Sequence, residues 1–183
     1  MRMDQIGKSA EDIINKTDEK TLNDLIYTLG EEKKARRIAR AIVNYRKNKS
    51  ITSTLELSNI VRNATGNNPK LKIDPATKTF QAIRIKVNNE LDEIEKALID
   101  AEKLLAPGAR LVVISFHSLE DKIVKKFLRS KSGLNPNPYR HSASIYSKDI
   151  KKNPSFKLIT KKVLLAGDEE LNSNIRARSA KLR

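Results

Sequence analysis

The chain has 183 residues, no cysteine, two histidines and a formal net charge of +15, from 37 Lys and Arg against 22 Asp and Glu. This length fits one domain with a small appendage, and the lack of cysteine excludes disulfides and cysteine-based zinc sites. With so few histidines we predict no metal site. No segment has transmembrane length and the N-terminus lacks the apolar core of a signal peptide, so we expect a cytoplasmic protein.

The positive charge favours an acidic partner, and nucleic acid is the usual one. A lysine-rich composition inherited from an AT-rich genome is the alternative explanation. The charge is unevenly distributed along the chain, which favours the nucleic-acid reading.

Helical signals fill the first half of the chain. Ser9 begins a short helix, and Thr17 caps a second one that stops at Gly30. A third helix is predicted over residues 31–48, with its apolar face formed by alanine, isoleucine and valine. Its other face carries seven basic residues: Lys33, Lys34, Arg36, Arg37, Arg40, Arg46 and Lys47. Arginine grips phosphate through a planar fork, so this face is a candidate RNA contact, with a solvated basic surface as the alternative.

Two further helices are predicted before residue 106. Ser53 and Glu56 form a capping box that opens the first of them. Apolar residues then recur at steps of three and four from Pro75 to Leu105, which predicts one continuous helix of about 45 Å. Its first part is basic and includes Lys78 and Arg84, and we expect that part to face a ligand.

The segment from Leu111 to Phe116 is a continuous apolar run after Pro107-Gly108, typical of a strand buried on both faces of a parallel sheet. A helix follows at once, with Ser118 as the predicted N-cap and Asp121 as its capping-box partner. The turn places His117, Ser118 and acidic side chains at the carboxyl edge of the strand, where open α/β sheets bind ligands. A purely structural role in capping is the alternative.

Residues 130–155 read as a loop with four side chains suited to RNA contact: Tyr139, Arg140, His141 and Tyr146. A mobile linker is the alternative there. Residues 157–165 and 177–183 are strand candidates that would pair antiparallel at a sheet edge. A buried parallel strand needs parallel neighbours, and none is predicted upstream of residue 109, so we expect the first half of the sheet to be absent from this chain.

The motif FHSLED at Phe116–Asp121, preceded by PGARLVVIS, resembles the signature of the MraW (RsmH) family. Five other segments resemble family motifs in the same order: MRMDQ at 1–5, GEEKKARRIARAIV at 30–43, TSTLEL at 52–57, PATKTFQAIRIKVNNEL at 75–91 and RARSAKLR at 176–183. The resemblance covers essentially the whole chain. Two positions depart from the family pattern, with Asp74 in place of a common histidine and Ile175 in place of a common proline.

The resemblance implies a bacterial methyltransferase that uses S-adenosylmethionine to modify the exocyclic N4 of a cytidine in 16S ribosomal RNA of the small ribosomal subunit. The implied fold class is α/β, a partial Rossmann-like methyltransferase sheet with an all-helical inserted subdomain. Residues 1–5 would end the first half of the methyltransferase domain, residues 6–90 would form the helical, RNA-recognising insertion, and residues 91–183 would be the returning half. The family positions that bind the cofactor would lie upstream of Met1, so we expect this chain alone not to bind it.

The resemblance also suggests roles for individual residues. Asp4, His117, Ser118 and Asp121 would border the catalytic pocket. Phosphate contacts would come from five basic residues: Arg36, Arg37, Arg40, Lys78 and Arg84. The sheet would be completed by a separately encoded N-terminal half or by a homodimer. The alternatives to an enzyme are a non-enzymatic RNA-binding module and a fragment without function.

Overall fold

The computed structural model describes residues 7–66, 73–134 and 154–183. The chain divides into two units, Met1–Glu90 and Leu91–Arg183, and each has its own hydrophobic cluster. The described residues are mostly helical, with a small three-stranded antiparallel sheet in the second unit. Within these three ranges, no helix combines the length and the apolar composition that crossing a membrane requires.

The described part of the first unit consists of five helices around an aliphatic core that includes Leu22, Ile26, Ile38, Ile42 and Ile83. Helix α2 packs against both α3 and α5, and α3 packs against α4. The helices are α1 (Ala10–Lys16), α2 (Glu19–Gly30), α3 (Ala35–Arg46), α4 (Thr54–Thr65) and α5 (Thr77–Asn88).

The N-caps of α1 and α4 are those predicted, since Ser9 and Ser53 both form capping boxes. The predicted cap of α2 is wrong. Asp18 caps that helix and accepts a hydrogen bond from the backbone N–H of Thr21 at 2.9 Å. Thr17 is instead the extended C-cap residue of α1. A carboxylate at this position adds a favourable charge at the positive end of the helix dipole, which a threonine hydroxyl cannot supply.

Gly30 has a different role from the predicted stop signal. It is the last residue of α2, and the left-handed residue that ends the helix is Glu31, with φ of 49°. A Cβ on Gly30 would lie 2.6 Å from the carbonyl oxygen of Lys78 and 3.3 Å from Cβ of Ala82, both on α5. The lack of a side chain is therefore what allows α2 and α5 to pack this closely. The third helix accordingly begins at Ala35, and not at residue 31.

Basic side chains satisfy carbonyl oxygens at the carboxyl ends of three helices in the first unit. These carbonyls lack intrahelical partners and carry the negative end of the helix dipole, so a cation there is stabilising. Lys34 donates to Thr65 at 2.6 Å, Arg46 to Ile14 and Thr17, and Lys78 to Glu31 at 3.0 Å. Part of the positive charge on α3 and α5 thus holds the fold together.

The predicted continuous helix from Pro75 to Leu105 is wrong. The structure has two helices there, α5 ending at Asn88 and α6 (Glu90–Leu104), separated by Asn89 with φ of 52° and ψ of 36°. Asparagine tolerates this left-handed conformation better than most residues because its short amide can bond locally. The apolar period continues across the break, which is why the pattern alone predicts one helix.

The second unit continues with β1 (Ile114–Ser115), α7 (Ser118–Lys131), β2 (Leu164–Leu165), α8 (Asp168–Ser173), a 3-10 helix (Ile175–Ser179) and β3 (Lys181–Leu182). The strand order is β1-β3-β2, with Leu182 opposite both Ile114 and Leu164. The predicted antiparallel pairing of the two C-terminal strands is confirmed. Because β3 is antiparallel to both neighbours, β1 and β2 run parallel to each other. Helix α8 was not predicted.

The apolar segment around β1 is buried on one face only, contrary to the prediction. Leu111 and Val113 pack against the cluster formed by α6 and α7. Val112, Ile114 and Phe116 point to the other face and are 60, 54 and 57% exposed. Alternate residues of a strand face opposite sides of the sheet, and the helices formed by the described residues cover only one side.

We predict that Gly30→Ala destabilises the first unit. In an exposed helix this change is stabilising by about 1 kcal/mol. Here the added methyl group overlaps the Lys78 carbonyl, so the free energy of unfolding should fall by about 1–3 kcal/mol. Urea unfolding followed by circular dichroism measures the effect. Gly167→Ala is the matched control, since no heavy atom lies within 4 Å of its added Cβ. A stabilised Gly30→Ala protein would contradict the close contact.

Candidate functional site

The turn between β1 and α7 is held by a reciprocal capping box that involves His117. Nδ1 of His117 accepts a hydrogen bond from the backbone N–H of Glu120 at 3.3 Å. Oε2 of Glu120 accepts from the backbone N–H groups of Phe116 and His117, at 2.7 and 3.2 Å. The prediction of a Ser118/Asp121 box is therefore wrong by one residue. His117 is still extended, with φ of −136°, whereas Ser118 is the first helical residue.

The two nitrogens of the His117 ring differ in function. Because Nδ1 accepts a hydrogen bond, the proton of the neutral ring lies on Nε2. Nε2 is buried and 3.2 Å from Oε1 of Glu120, but the two atoms are not aligned for a hydrogen bond. Among the described residues Nε2 has no hydrogen-bond partner, and the side chain is only 10% exposed. An unpaired buried donor of this kind is a candidate ligand contact.

Glu120 is held ionised in this turn. Burial is the largest single influence and raises its pKa, but the contacts with the His117 ring and the Phe116 N–H together outweigh burial and lower the pKa from 4.5 to about 2. The side chain is 18% exposed. A negative charge is thereby fixed at the amino end of α7, where the helix dipole favours it.

Asp121 forms an ion pair that sequence reasoning missed. Nε and Nη2 of Arg183 donate to its two carboxylate oxygens at 2.7 and 3.1 Å, and both side chains are about 15% exposed. The guanidinium group lowers the pKa of Asp121. Arg183 also exchanges backbone hydrogen bonds with Val113 at 2.9 Å. The pair therefore joins the first turn of α7 to the strands, and no local pattern links residues 62 positions apart.

Three of the predicted phosphate contacts lie together on one face of α3. Arg36, Arg37 and Arg40 line an open cavity of about 580 Å³, with Asn44 and the small side chains of Ala41 and Ala64. The opposite face of α3, including Ile38 and Ile42, is buried. Nε of Arg40 lies 3.6 Å from Oε1 of Glu19, so this arginine is partly neutralised.

The other two predicted phosphate contacts do not line this cavity. Lys78 donates to the carbonyl oxygen of Glu31. Arg84 forms a two-point ion pair with Glu90, at 2.9 and 3.1 Å. Asp4 and the loop residues Tyr139, Arg140, His141 and Tyr146 lie outside the described residues. Ser118 is half-buried in the first turn of α7.

Comparison with known proteins identifies the family of this chain. The model of the MraW methylase family matches residues 1–183. The chain belongs to that family. Curated relatives carry the name "Ribosomal RNA small subunit methyltransferase H", and we describe three of them. The protein of Rhizorhabdus wittichii is 51% identical over 183 residues, that of Rickettsia massiliae 52% over 186, and that of Rhodospirillum centenum 50% over 185.

The chain spans a little more than half the length of these family members. All of the chain is aligned in each case, but it covers 55, 59 and 54% of the three relatives. The predicted resemblance to the MraW family is confirmed, and the curated relatives are named as methyltransferases of the small-subunit ribosomal RNA. The assignment of individual site residues stays a prediction.

We predict that the second unit loses stability in acid through Glu120. A carboxyl group whose pKa is lowered by folding stabilises the folded state above its unfolded pKa, and this contribution is lost as the pH falls through the folded pKa. The loss should therefore run from about pH 4.5 to pH 2. Urea unfolding over this range should show a smaller pH dependence for Glu120→Gln than for the wild type. Glu95→Gln, on the exposed surface of α6, is the matched control, and an unchanged slope for Glu120→Gln would contradict the prediction.

Proposed function

We propose that this protein forms part of an enzyme that transfers a methyl group from S-adenosylmethionine to the N4 of a cytidine in 16S ribosomal RNA. The observation that carries the proposal is the His117 turn, which lies at the carboxyl end of β1 in a chain that matches a methylase family over its full length. Ligands of open α/β sheets bind at this end of the strands.

The arrangement of the strands supports a partial Rossmann-like sheet. Strands β1 and β2 are parallel to each other, as in doubly wound sheets, with β3 inserted between them. Only one edge of β1 is paired among the described residues, and the face carrying Val112, Ile114 and Phe116 is exposed. Sheets of this class have helices on both faces. Further strands on the free edge and helices on this face would complete the domain.

We infer that a pocket for S-adenosylmethionine needs more than the described residues. A Rossmann-type pocket is built at the carboxyl ends of adjacent parallel strands. Here β1 and β2 are separated by the antiparallel β3. The adenosine contacts would come from the part of the relatives' length that this chain does not span. In a homodimer, a second copy of the chain would cover the exposed face.

In the complete enzyme, His117 would hold the target base. Its Nδ1 is committed to the cap of α7, so its Nε2–H is the available donor, suited to an acceptor on the edge of a cytosine. His117 would therefore position the base and would not remove a proton. Asp4 would be the carboxylate partner of the amino group, and Ser118 would border the pocket. Asp121 would act at a distance, by orienting the turn through Arg183.

The cavity on α3 would bind the RNA backbone. Arg36 and Arg37 are exposed, and Arg40 is one turn further along the same face. Side chains four residues apart lie about 6 Å apart along a helix, so the three can contact neighbouring phosphates of one strand. Such contacts position RNA without reading its sequence. Lys78 and Arg84 would add long-range attraction.

A second candidate function is a non-enzymatic RNA-binding module. The observation that favours it is the first unit, which has its own core and its own basic cavity within residues 1–90. A fragment without function is the remaining alternative. RNA binding by this chain would be shared by the enzyme and the module, so methyl transfer is the property that separates them.

We predict that Arg36→Ala/Arg37→Ala weakens RNA binding in a salt-dependent way. When a phosphate contact is lost, RNA binding releases fewer counterions. The slope of log affinity against log salt concentration should therefore become shallower by about 1.5 for the double variant. Fluorescence anisotropy with a labelled small-subunit RNA fragment measures this slope. Lys161→Ala/Lys162→Ala removes the same charge from adjacent exposed residues and should change the slope less. Equal slopes for the two double variants would argue against a specific role of α3.

We also predict that the chain alone shows no micromolar binding of S-adenosylmethionine by calorimetry. Adding the N-terminal part of the Rickettsia massiliae relative should restore cofactor binding and transfer of labelled methyl to small-subunit RNA. The His117→Asn chain, in which the amide oxygen can still cap α7, should assemble with that part but transfer methyl more slowly. Tight cofactor binding by the chain alone would refute the need for added strands. A complex that binds the cofactor but methylates no RNA would favour the binding module.

A further inference from the structure

A second groove in the first unit lies between α4 and α5, apart from the basic cavity on α3. It has a volume of about 610 Å³ and is lined by residues of two motifs, TSTLEL and PATKTFQAIRIKVNNEL. Of these two motifs, the proposed function uses only Lys78 and Arg84. Its lining residues are Thr54, Leu55, Ser58, Arg62, Asp74, Ala76, Thr77, Phe80, Gln81 and Arg84.

The floor of this groove is apolar. Leu55 is 63% exposed although it sits beside the half-buried ring of Phe80 and the buried Ala76. A single exposed leucine is common, but one that borders an aromatic ring in a concave site is a surface on which a flat apolar group can rest. Thr54 and Thr77 also line the groove.

Two arginines with fixed guanidinium planes stand at opposite ends of the groove. Arg62 donates to both carboxylate oxygens of Asp74, just before α5 begins. Arg84 lies about 10 Å further along α5 and is held through Nε and Nη2 by Glu90. Each carboxylate takes the edge of the guanidinium group formed by Nε and Nη2, and Nη1 of Arg62 also donates to Oδ1 of Asn59 at 3.1 Å. A planar group held in this way is pre-organised for phosphate binding or stacking.

The electrostatic surroundings favour an anionic ligand. Residues 33–90 contain fourteen Lys and Arg but only three acidic residues, Glu56, Asp74 and Glu90. All three are already engaged, Glu56 with Lys49 at 2.6 Å, Asp74 with Arg62 and Glu90 with Arg84. Little negative charge is left to repel a polyanion.

We propose that the groove between α4 and α5 binds an unpaired nucleotide of RNA, with the base resting on Leu55 and Phe80 and the adjoining phosphates near Arg62 and Arg84. This inference rests on the proposed function, because ribosomal RNA is the strand that would supply the nucleotide. Single-stranded RNA is bound through base stacking combined with cationic backbone contacts. A base inside a duplex is already stacked and paired, so it cannot occupy this floor. The two RNA sites then differ in what they recognise, phosphates at α3 and an exposed base here.

The test compares a labelled single-stranded RNA with a duplex of the same sequence, both bound to the 183-residue chain and followed by fluorescence anisotropy. Leu55→Ala should weaken binding of the single strand by about tenfold and leave binding of the duplex unchanged. Leu104→Ala is the matched control, because Leu104 is 85% exposed on α6 and lies outside the groove. Photocrosslinking of a single strand that contains 4-thiouridine should label peptides that contain Leu55 or Phe80.

Other outcomes would overturn the inference. Unchanged single-strand binding by Leu55→Ala, or equal weakening of both RNAs, would mean that the groove does not take a base, while the phosphate contacts of Arg36 and Arg37 would stand. Crosslinks only to peptides outside α4 and α5 would also show that the groove does not bind a base. Absence of RNA binding by the wild-type chain would instead remove the RNA part of the proposed function and this inference together.

Discussion

The first unit depends on the close approach of α2 and α5 at Gly30. The Lys78 carbonyl occupies the space where any other residue would place its Cβ, and the Lys78 ammonium group then reaches the carbonyl of Glu31 at the end of α2. This double contact fixes where α5 begins relative to α2. The position of α5 determines in turn where Phe80 and Arg84 lie, so a glycine outside both proposed RNA sites sets the geometry of the groove.

The basic side chains of the first unit fall into two groups that the composition alone does not distinguish. Lys34, Arg46 and Lys78 are directed to helix ends, where they replace missing backbone partners. Arg36 and Arg37 are directed to solvent on the face of α3 opposite the core. Lys34 lies in the same motif as Arg36 and Arg37, GEEKKARRIARAIV, and only the three-dimensional structure shows which of these side chains bonds to a helix end and which faces solvent.

The local elements of the fold could be predicted where one residue type has one physical role. The Ser9 and Ser53 caps and the buried stripe of α3 followed from such patterns. The break at Asn89 did not, because the apolar period continues through a residue whose backbone alone changes. The cap at His117 was missed because an imidazole is a rarer N-cap than the serine beside it.

The family, the His117 turn and the arginines of α3 could be found from sequence motifs. The groove between α4 and α5 could not, because it forms only where two motifs that are distant in sequence meet. The ion pair of Arg183 with Asp121 is non-local in the same way.

The ring of His117 caps α7 through one nitrogen and carries a second, buried nitrogen that the proposed function assigns to the target base. A serine cap would hold α7 equally well but would present no second polar atom beyond the turn. In the imidazole ring, Nδ1 completes the helix cap, while Nε2 lies 3.2 Å from Oε1 of Glu120 and has no hydrogen-bond partner among the described residues. A ligand that bound Nδ1 would displace the hydrogen bond that this nitrogen accepts from the Glu120 N–H. The orientation of Nε2 therefore depends on the same hydrogen bond that caps α7.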